Sequence, residues 1–274
     1  MGRQHAGGLS SVPVIVTRPE RDAARWVQTL HSSGLQAEAL PLINITLLPE
    51  SPALQQAWVD MADTSALMFV SGNAVDGFFA SFRAVALVQK AQAAIDSIAS
   101  GVPRFLAPGP GTVAALRHAG IPVALIDAPA LDAAQFDSEA LWALVAHRPW
   151  QGQRVLVLRG QSANTGAAGR DWLAQQMVAA GAQVDFASVY ERRAPLFTAQ
   201  QLQRIEAAAH DGSVWLFSSS EAVGNLPKHD WSRSRAVATH PRIAEAARKA
   251  GWGVVVQSRP ALVDIVASIE SAAP

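Results

Sequence analysis

The chain has 274 residues, half of them hydrophobic, and carries 22 Lys plus Arg against 22 Asp plus Glu. At about 100–200 residues per domain this is one large domain or two modest ones, and the charge balance excludes a global field that would draw the chain to nucleic acid or an anionic membrane. With no cysteine, disulfides, thiolate nucleophiles and Cys-based metal or cluster sites are excluded together.

The leader MGRQHAGGLSS lacks the apolar region of a signal peptide, and no run approaches the ~18 residues of a membrane span, so a cytoplasmic protein is expected. Lys90, Lys228 and Lys249 are the only lysines. The positive charge is therefore nearly all Arg, which suits bidentate recognition of carboxylate or phosphate, although high-GC codon bias gives the same skew.

Val14 to Thr17 is a β-branched run, and Arg18-Pro19 ends it before the acidic Glu20 and Asp22 of a first helical turn. Ala23, Trp26, Val27 and Leu30 keep a helical period to Gly34, and Ala37 to Leu42 reads as a second strand. Pro41 to Pro49 is an extended connector between prolines. A helix over Ala53 to Met61 leads to a strand at Leu67 to Val70, a Ser71-Gly72-Asn73 corner and a helix carrying Val75, Phe78, Phe79 and Phe82.

Ala84 to Ser100 reads as an Ala-rich helix. Arg104 to Ala107 is a strand, Pro108 to Gly111 a turn, Thr112 to Ala119 a helix closed by Gly120, and Val123 to Ile126 a further strand. Asp137 or Ser138 caps the stripe Leu141, Trp142, Leu144 and Val145.

From Arg154 the pattern restarts. Val155 to Leu158 with Arg159 repeats Val14 to Thr17 with Arg18, and Trp172 to Gly181 repeats Trp26 to Gly34. Leu67 to Val75 (LMFVSGNAV) matches Trp215 to Val223 (WLFSSSEAV), and Phe105 to Val123 matches Ala236 to Val254. Ordered matches of this kind argue for an internal duplication with a period of about 140 residues. Alternating strands and helices imply parallel sheets covered on both faces, in two lobes of five strands rather than one sheet of ~10. Taken alone, the repeat puts the boundary near Trp150-Gln151-Gly152.

Several constellations could carry chemistry. Gly109 to Ala114 is a GxGxxA at a strand-to-helix corner, with Asp127 ending the next strand. This admits a nicotinamide dinucleotide site, or a glycine-rich turn that lets another anion approach the helix end. Arg159 and Arg170 flank a loop of small residues that is either a basic mouth for carboxylates or a solvated surface loop, and Arg18 has the same ambiguity. Tyr190, the only tyrosine, either donates a proton or hydrogen bond to a leaving oxygen or is an interfacial aromatic. His240 reads as an acid or base, or as a helix cap. The seven histidines show no paired metal-ligand spacing, so no metal site is expected.

With these residues in view, the chain resembles the uroporphyrinogen-III synthase family over Val14 to about Ser268. The resemblance is carried by VTRP at 16–19, PLI at 41–43, FVSGNAV at 69–75, PGPGTVAAL at 108–116, DSEAL at 137–141, RVLVLRG at 154–160, VYERRAP at 189–195, FSSSEAV at 217–223 and HPRIAEAA at 240–247. Gln161 to Gly169 is longer than the compact turn the family shows there.

The resemblance implies two flavodoxin-like lobes, each a parallel five-stranded sheet, with an interdomain cleft. One lobe would comprise residues 12–42 plus 195–274 and the other 50–189, with linkers at 43–49 and 190–194 that pair as a ladder. It implies a cyclising lyase that closes hydroxymethylbilane with inversion of ring D, in heme biosynthesis. The small-molecule substrate is then the expected partner, with no cofactor, no metal, no nucleic acid and no membrane, and a monomer is expected. Tyr190 becomes the catalytic candidate; Arg18, Ser71, Gly72, Asn73, Thr112, Arg159, Ser218, Ser219, Ser220, His240, Arg242 and Ile243 become the substrate-binding candidates. A non-catalytic bilobal protein that binds an anionic metabolite and a nicotinamide-dependent oxidoreductase are the competing readings.

Overall fold

The computed structural model describes residues 12–48, 52–85, 98, 101–133, 135–162 and 171–273. Beyond Val85 and apart from Ile98, the expected Ala84 to Ser100 helix lies outside the described residues, as do the leader and Arg170. In chain order the structure runs β1 (Val14–Val16), α1 (Glu20–Ser32), β2 (Ala37–Ala39), β3 (Asn44–Leu47), α2 (Pro52–Val59), β4 (Ala66–Phe69) and α3 (Gly72–Val85). Then come β5 (Arg104–Leu106), α4 (Pro110–His118), β6 (Ile126–Asp127), α5 (Ser138–Val145), β7 (Arg154–Ser162), α6 (Trp172–Ala179) and β8 (Gln183–Arg193). The last third carries α7 (Ala199–Ala208), β9 (Val214–Phe217), α8 (Ser220–Gly224), β10 (Arg235–Ala238), α9 (Pro241–Lys249), β11 (Val254–Gln257) and α10 (Leu262–Ala272).

The chain divides into two compact units, Met1–Asn44 with Ala194–Pro274 and Ile45–Arg193. In the first, a five-stranded sheet has the order β11-β10-β9-β1-β2, with β1 pairing in parallel on both sides: Val14 lies opposite Ala37 of β2 and Val214 of β9. The second holds a six-stranded sheet ordered β3-β8-β7-β4-β5-β6, in which β8, β7, β4, β5 and β6 pair in parallel. The strand beyond the five expected is β3, cut from the Pro41 to Pro49 connector. It lies at the edge beside β8, and just past its end the Leu48 amide donates to the Val189 carbonyl at 3.0 Å.

Strands covered on both faces lose the polar alternation of half-exposed ones and read as continuous apolar runs. In β4, Leu67 and Phe69 enter a cluster with Trp58, Phe78 and Phe105, while Ala66 and Met68 enter another with Leu141, Trp150 and Leu173. The same alternation governs β9: Val214 and Leu216 join Leu30 and Ile265, whereas Trp215 meets Trp231 and Trp252 edge-on and Phe217 meets Trp252 edge-on. Burying one such aromatic or aliphatic side chain stabilises the fold by roughly 1.5–3 kcal/mol.

Two expected elements are corrected. The apolar residues 123–126 do not form a strand; Val123–Leu125 is a 3-10 turn with Val123 63% exposed, and β6 is only Ile126–Asp127. The Leu125 amide closes on the Pro122 carbonyl, and β6 lies at the sheet edge with a single neighbour to hold it extended. The helix expected from Thr112 begins at Pro110, whose missing N–H and fixed φ suit the first helical position.

Candidate functional site

In the second unit, the end of β4 turns into α3 through Ser71. The Ser71 Oγ accepts the Ala74 amide at 3.3 Å, and the Gly72 and Asn73 amides have no partner among the described residues. Free amides and the helix dipole make this end attractive to an anion. The neighbouring corner belongs to α4, where Gly109 precedes Pro110 and the Thr112 amide returns to the Gly109 carbonyl at 3.0 Å. The position of a Cβ on Gly72 lies 3.5 Å from the Gly111 carbonyl, so the first turns of α3 and α4 touch. Thr112 is buried, 5% exposed.

Tyr190 completes this corner from β8. Its Oη lies 3.1 Å from the Ser71 Oγ. Since that Oγ already accepts the Ala74 amide, the serine proton can turn to the phenol oxygen and leave the phenol proton for another acceptor. The ring is placed by a β-bulge. Arg159 lies opposite Ser188 and Gly160 opposite Tyr190, so Val189 is the extra residue of β8.

A bulge interrupts the two-residue alternation, and as a result the successive residues Val189 and Tyr190 are buried in one cluster. Two glycines make room. A Cβ on Gly160 would lie 2.3 Å from the Tyr190 ring, and one on Gly77 would lie 2.5 Å from the Val189 carbonyl, so α3 rests directly on the bulged strand. Neither glycine stands out in the sequence, because both are explained by strand register.

Arg159 is not an idle cation. Its Nη1 pairs with the Asp171 carboxylate at 2.5 Å and its guanidinium lies 4.1 Å from the centre of the Phe186 ring. Farther along the same strand pair, Gln161 donates to Glu191 at 3.3 Å, and Arg193 also bonds Glu191. The Arg193 bond and then the Gln161 bond hold the Glu191 carboxyl below its ordinary range.

In the first unit, Arg18 follows β1 beside β9. Its guanidinium lies 4.7 Å from the centre of the Trp26 ring, and its Nε is buried without a hydrogen-bond partner. Asp22 is engaged by Arg25, and Arg18 makes no ion pair among the described residues. Burial lowers the Arg18 pKa from its ordinary value, Asp22 opposes the shift and Arg25 adds to it.

Nearby corners are partly capped by their own side chains. The Ser219 Oγ accepts the Glu221 amide at 3.2 Å, and the Ser220 Oγ reaches the Arg242 carbonyl at 3.5 Å. Ser218 is half-buried at the end of β9. His240 is the cap of α9: its Nδ1 accepts the Arg242 amide at 3.2 Å, and its carbonyl accepts the Ile243 amide at 3.0 Å. The helix cap therefore engages the Arg242 and Ile243 amides themselves. The Ile243 side chain is buried, while that of Arg242 is exposed.

Asp127 overturns the dinucleotide reading of the glycine-rich turn. Arg104 grips its carboxylate through Nε at 2.9 Å and Nη2 at 2.6 Å, and Arg148 grips it from Nη1 and Nη2 at 2.7 Å each. A ribose-binding acid needs a free carboxylate, and this one is filled from both sides. Burial alone would raise the Asp127 pKa; the hydrogen bonds from Arg104 and Arg148 outweigh it and hold the carboxyl below its ordinary value.

A family model described as uroporphyrinogen-III synthase HemD matches residues 24–267. Uroporphyrinogen-III synthase of Salmonella typhimurium is 26% identical over 249 residues, which cover 87% of this chain and 92% of that protein. A mutant uroporphyrinogen III synthase of Thermus thermophilus superposes with a TM-score of 0.57 at 17% identity, over 95% of this chain and 98% of its own. The uroporphyrinogen-III synthetase of Helicobacter pylori does so with a TM-score of 0.55 at 15% identity, over 93% and 97%. At these identities the solved structures attest the fold, an α/β architecture of parallel sheets, and the family rests on the sequence match.

Proposed function

The chain belongs to the uroporphyrinogen-III synthase family, and from that premise we propose how its residues handle the substrate. The activity is the cyclisation of linear hydroxymethylbilane to uroporphyrinogen III with inversion of the last pyrrole ring, a cyclising lyase step of heme biosynthesis. The chemical problem is conformational. The free bilane loses water readily and closes without inversion, so a catalyst must fold a flexible chain before it reacts. Holding reacting groups in one geometry can contribute ~7–11 kcal/mol in favourable systems.

We read each sheet as a flavodoxin-like layer. The order β2-β1-β9-β10-β11 follows the doubly wound pattern, and β8-β7-β4-β5-β6 follows it after a circular shift of the chain. In such sheets ligands collect where the strand order reverses. That rule singles out the β7/β4 junction, with Gly160, Ser71 and the adjacent Tyr190, and the β1/β9 junction, with Arg18 and Ser218 to Ser220.

Within this reading, the substrate's carboxylates are held by the free Gly72 and Asn73 amides and by Arg18, a half-buried cation whose buried Nε has no hydrogen-bond partner. Ser71 and Thr112 line the paired helix ends, and Ser218, Ser219, Ser220, His240 and the exposed Arg242 side chain border the corners of the first unit. Arg159 acts through its pairing with Asp171, as an electrostatic support beside the bulge. Tyr190 donates a hydrogen bond to the departing hydroxyl, which leaves as water with the proton given up by the pyrrole N–H whose nitrogen lone pair expels it, while Ser71 supplies the compensating hydrogen bond to the phenol oxygen.

The observation that carries this assignment is the Tyr190 to Ser71 pair, 3.1 Å apart at a helix N-terminus with unpaired amides. Freshly prepared hydroxymethylbilane is supplied to the protein, the product is oxidised, and type I and type III uroporphyrins are separated. Type III in excess over the spontaneous type I is the expected result. Type I alone would exclude the proposed chemistry.

A further inference from the structure

We propose that Glu206, His210 and His229 form a binding site for one divalent cation of zinc's class, on the first unit and independent of the reaction above. Spacing arguments confined to pairs of histidines miss it. Glu206 and His210 are four residues apart at the end of α7, and His229 arrives from the connection between α8 and β10. The His210 amide still closes on the Ala207 carbonyl at 3.0 Å, which keeps Glu206 and His210 on one side of the fraying helix end.

The ligand atoms already converge. His229 Nδ1 is 3.4 Å from one Glu206 oxygen, His210 Nε2 is 3.8 Å from the other, and all the donor atoms lie within 4.8 Å of one another. Metal-ligand distances of about 2.0–2.2 Å in a tetrahedron place neighbouring donors roughly 3.4 Å apart. Small rotations of two exposed side chains therefore suffice to close the site. Its fourth position is left to water.

Two imidazoles with one carboxylate are an intermediate donor set that suits zinc and disfavours calcium and magnesium, which take oxygen ligands. The identity of the binding nitrogen follows from burial. His229 Nε2 is buried without a hydrogen-bond partner, in a ring packed against Trp231 at 4.9 Å between centroids. Nδ1 is left as the reachable nitrogen. The site precedes the starts of β9 and β10, at the opposite end of these strands from Ser218 and His240. A metal there clips the end of α7 to the loop before β10 and takes no part in the chemistry.

The test is calorimetric titration of the full chain with Zn²⁺, with Co²⁺ as a spectroscopic probe. Wild type is expected to bind one Zn²⁺ per chain, to show the intense visible bands of tetrahedral Co²⁺, and to melt at a higher temperature with Zn²⁺ present. His210→Asn, at a side chain 59% exposed, leaves the fold intact. It is expected to weaken binding about tenfold or more and to remove the thermal shift; Glu206→Gln should do the same. Absence of stoichiometric binding in wild type, an octahedral Co²⁺ spectrum, or binding unchanged in His210→Asn would each overturn the assignment.

Discussion

The phenol of Tyr190 is held on two sides, by the Ser71 hydroxyl and by the space that Gly160 leaves for its ring. Tyr190→Phe removes only the hydroxyl, so folding is retained and the substrate still meets the same helix ends. We expect kcat for type III product to fall about tenfold to a hundredfold, matching the ~1.5–3 kcal/mol of a hydrogen bond to a group developing charge, with KM little changed. Full activity in this variant would remove the role given to Tyr190. Gly160→Ala should do at least as much damage by pushing the ring off Ser71, and should lower stability by ~1–3 kcal/mol, as overpacking does; thermal melting and the same isomer assay read both effects. Tyr190 is legible in the sequence because it is unique and its surrounding motif matches the family. The bulge that aims it is not, since it arises from the register between Arg159 and Ser188, residues whose local sequence says nothing of which strand they face. Arg18 was equally ambiguous, and the engagement of Asp22 by Arg25 shows that Arg18 is left without an ion pair among the described residues.

At the scale of elements, the short edge strand β6 is held by the two arginines on Asp127 as well as by its pairing with β5. Arg104 comes from β5, and Arg148 from just past the end of α5. The three charges therefore tie a strand, an edge and a helix end together. Because the folded carboxyl titrates below its unfolded value of about 3.9, its contribution is fully present above that pH and is lost as pH falls through the lower folded value. Asp127→Asn should destabilise the second unit at neutral pH by about 2 kcal/mol. That is less than for a fully buried pair, because both arginines are partly exposed. Denaturant melts at pH 7 and below pH 4 check this: the gap between wild type and variant should shrink in acid, and a gap that grew would contradict the linkage. The cap of α5 was readable locally to within one residue, since a capping acid and the amide it takes are three residues apart; of Asp137 and Ser138, the structure uses Asp137. The role of Asp127 was not, because Arg104 precedes it by 23 residues and Arg148 follows it by 21.

For the whole molecule, the internal repeat and the sheet orders have one explanation. The matched segments occupy equivalent sheet positions: β1 corresponds to β7, β2 to β8, β9 to β4 and β10 to β5. The repeat was legible from its residues, but the boundary it suggested near residue 151 was not the one the contacts draw, because the chain leaves the first sheet after β2 and returns only at β9. Sequence order and spatial order are circularly shifted, a relation that similarity between segments cannot reveal. This has a consequence for autonomy. Both core clusters of the second unit are built from residues within Ile45–Arg193, a continuous stretch, whereas the cluster under β1 and β9 draws Val14 and Leu30 from one end of the chain and Val214, Ile265 and Ile269 from the other. A fragment spanning 45–193 should therefore fold alone, with a cooperative melt and protected amides in β4 and β7. Deleting residues 1–44 should leave that unit folded and unfold the rest. The deletion strips β1 from the middle of its sheet, exposing the edge of β9 and the apolar face of α10. Hydrogen exchange on the truncated chain distinguishes the outcomes. Protection surviving in β9 and β10 would mean that the C-terminal third holds its own core, and the interdependence inferred from the strand order would be wrong.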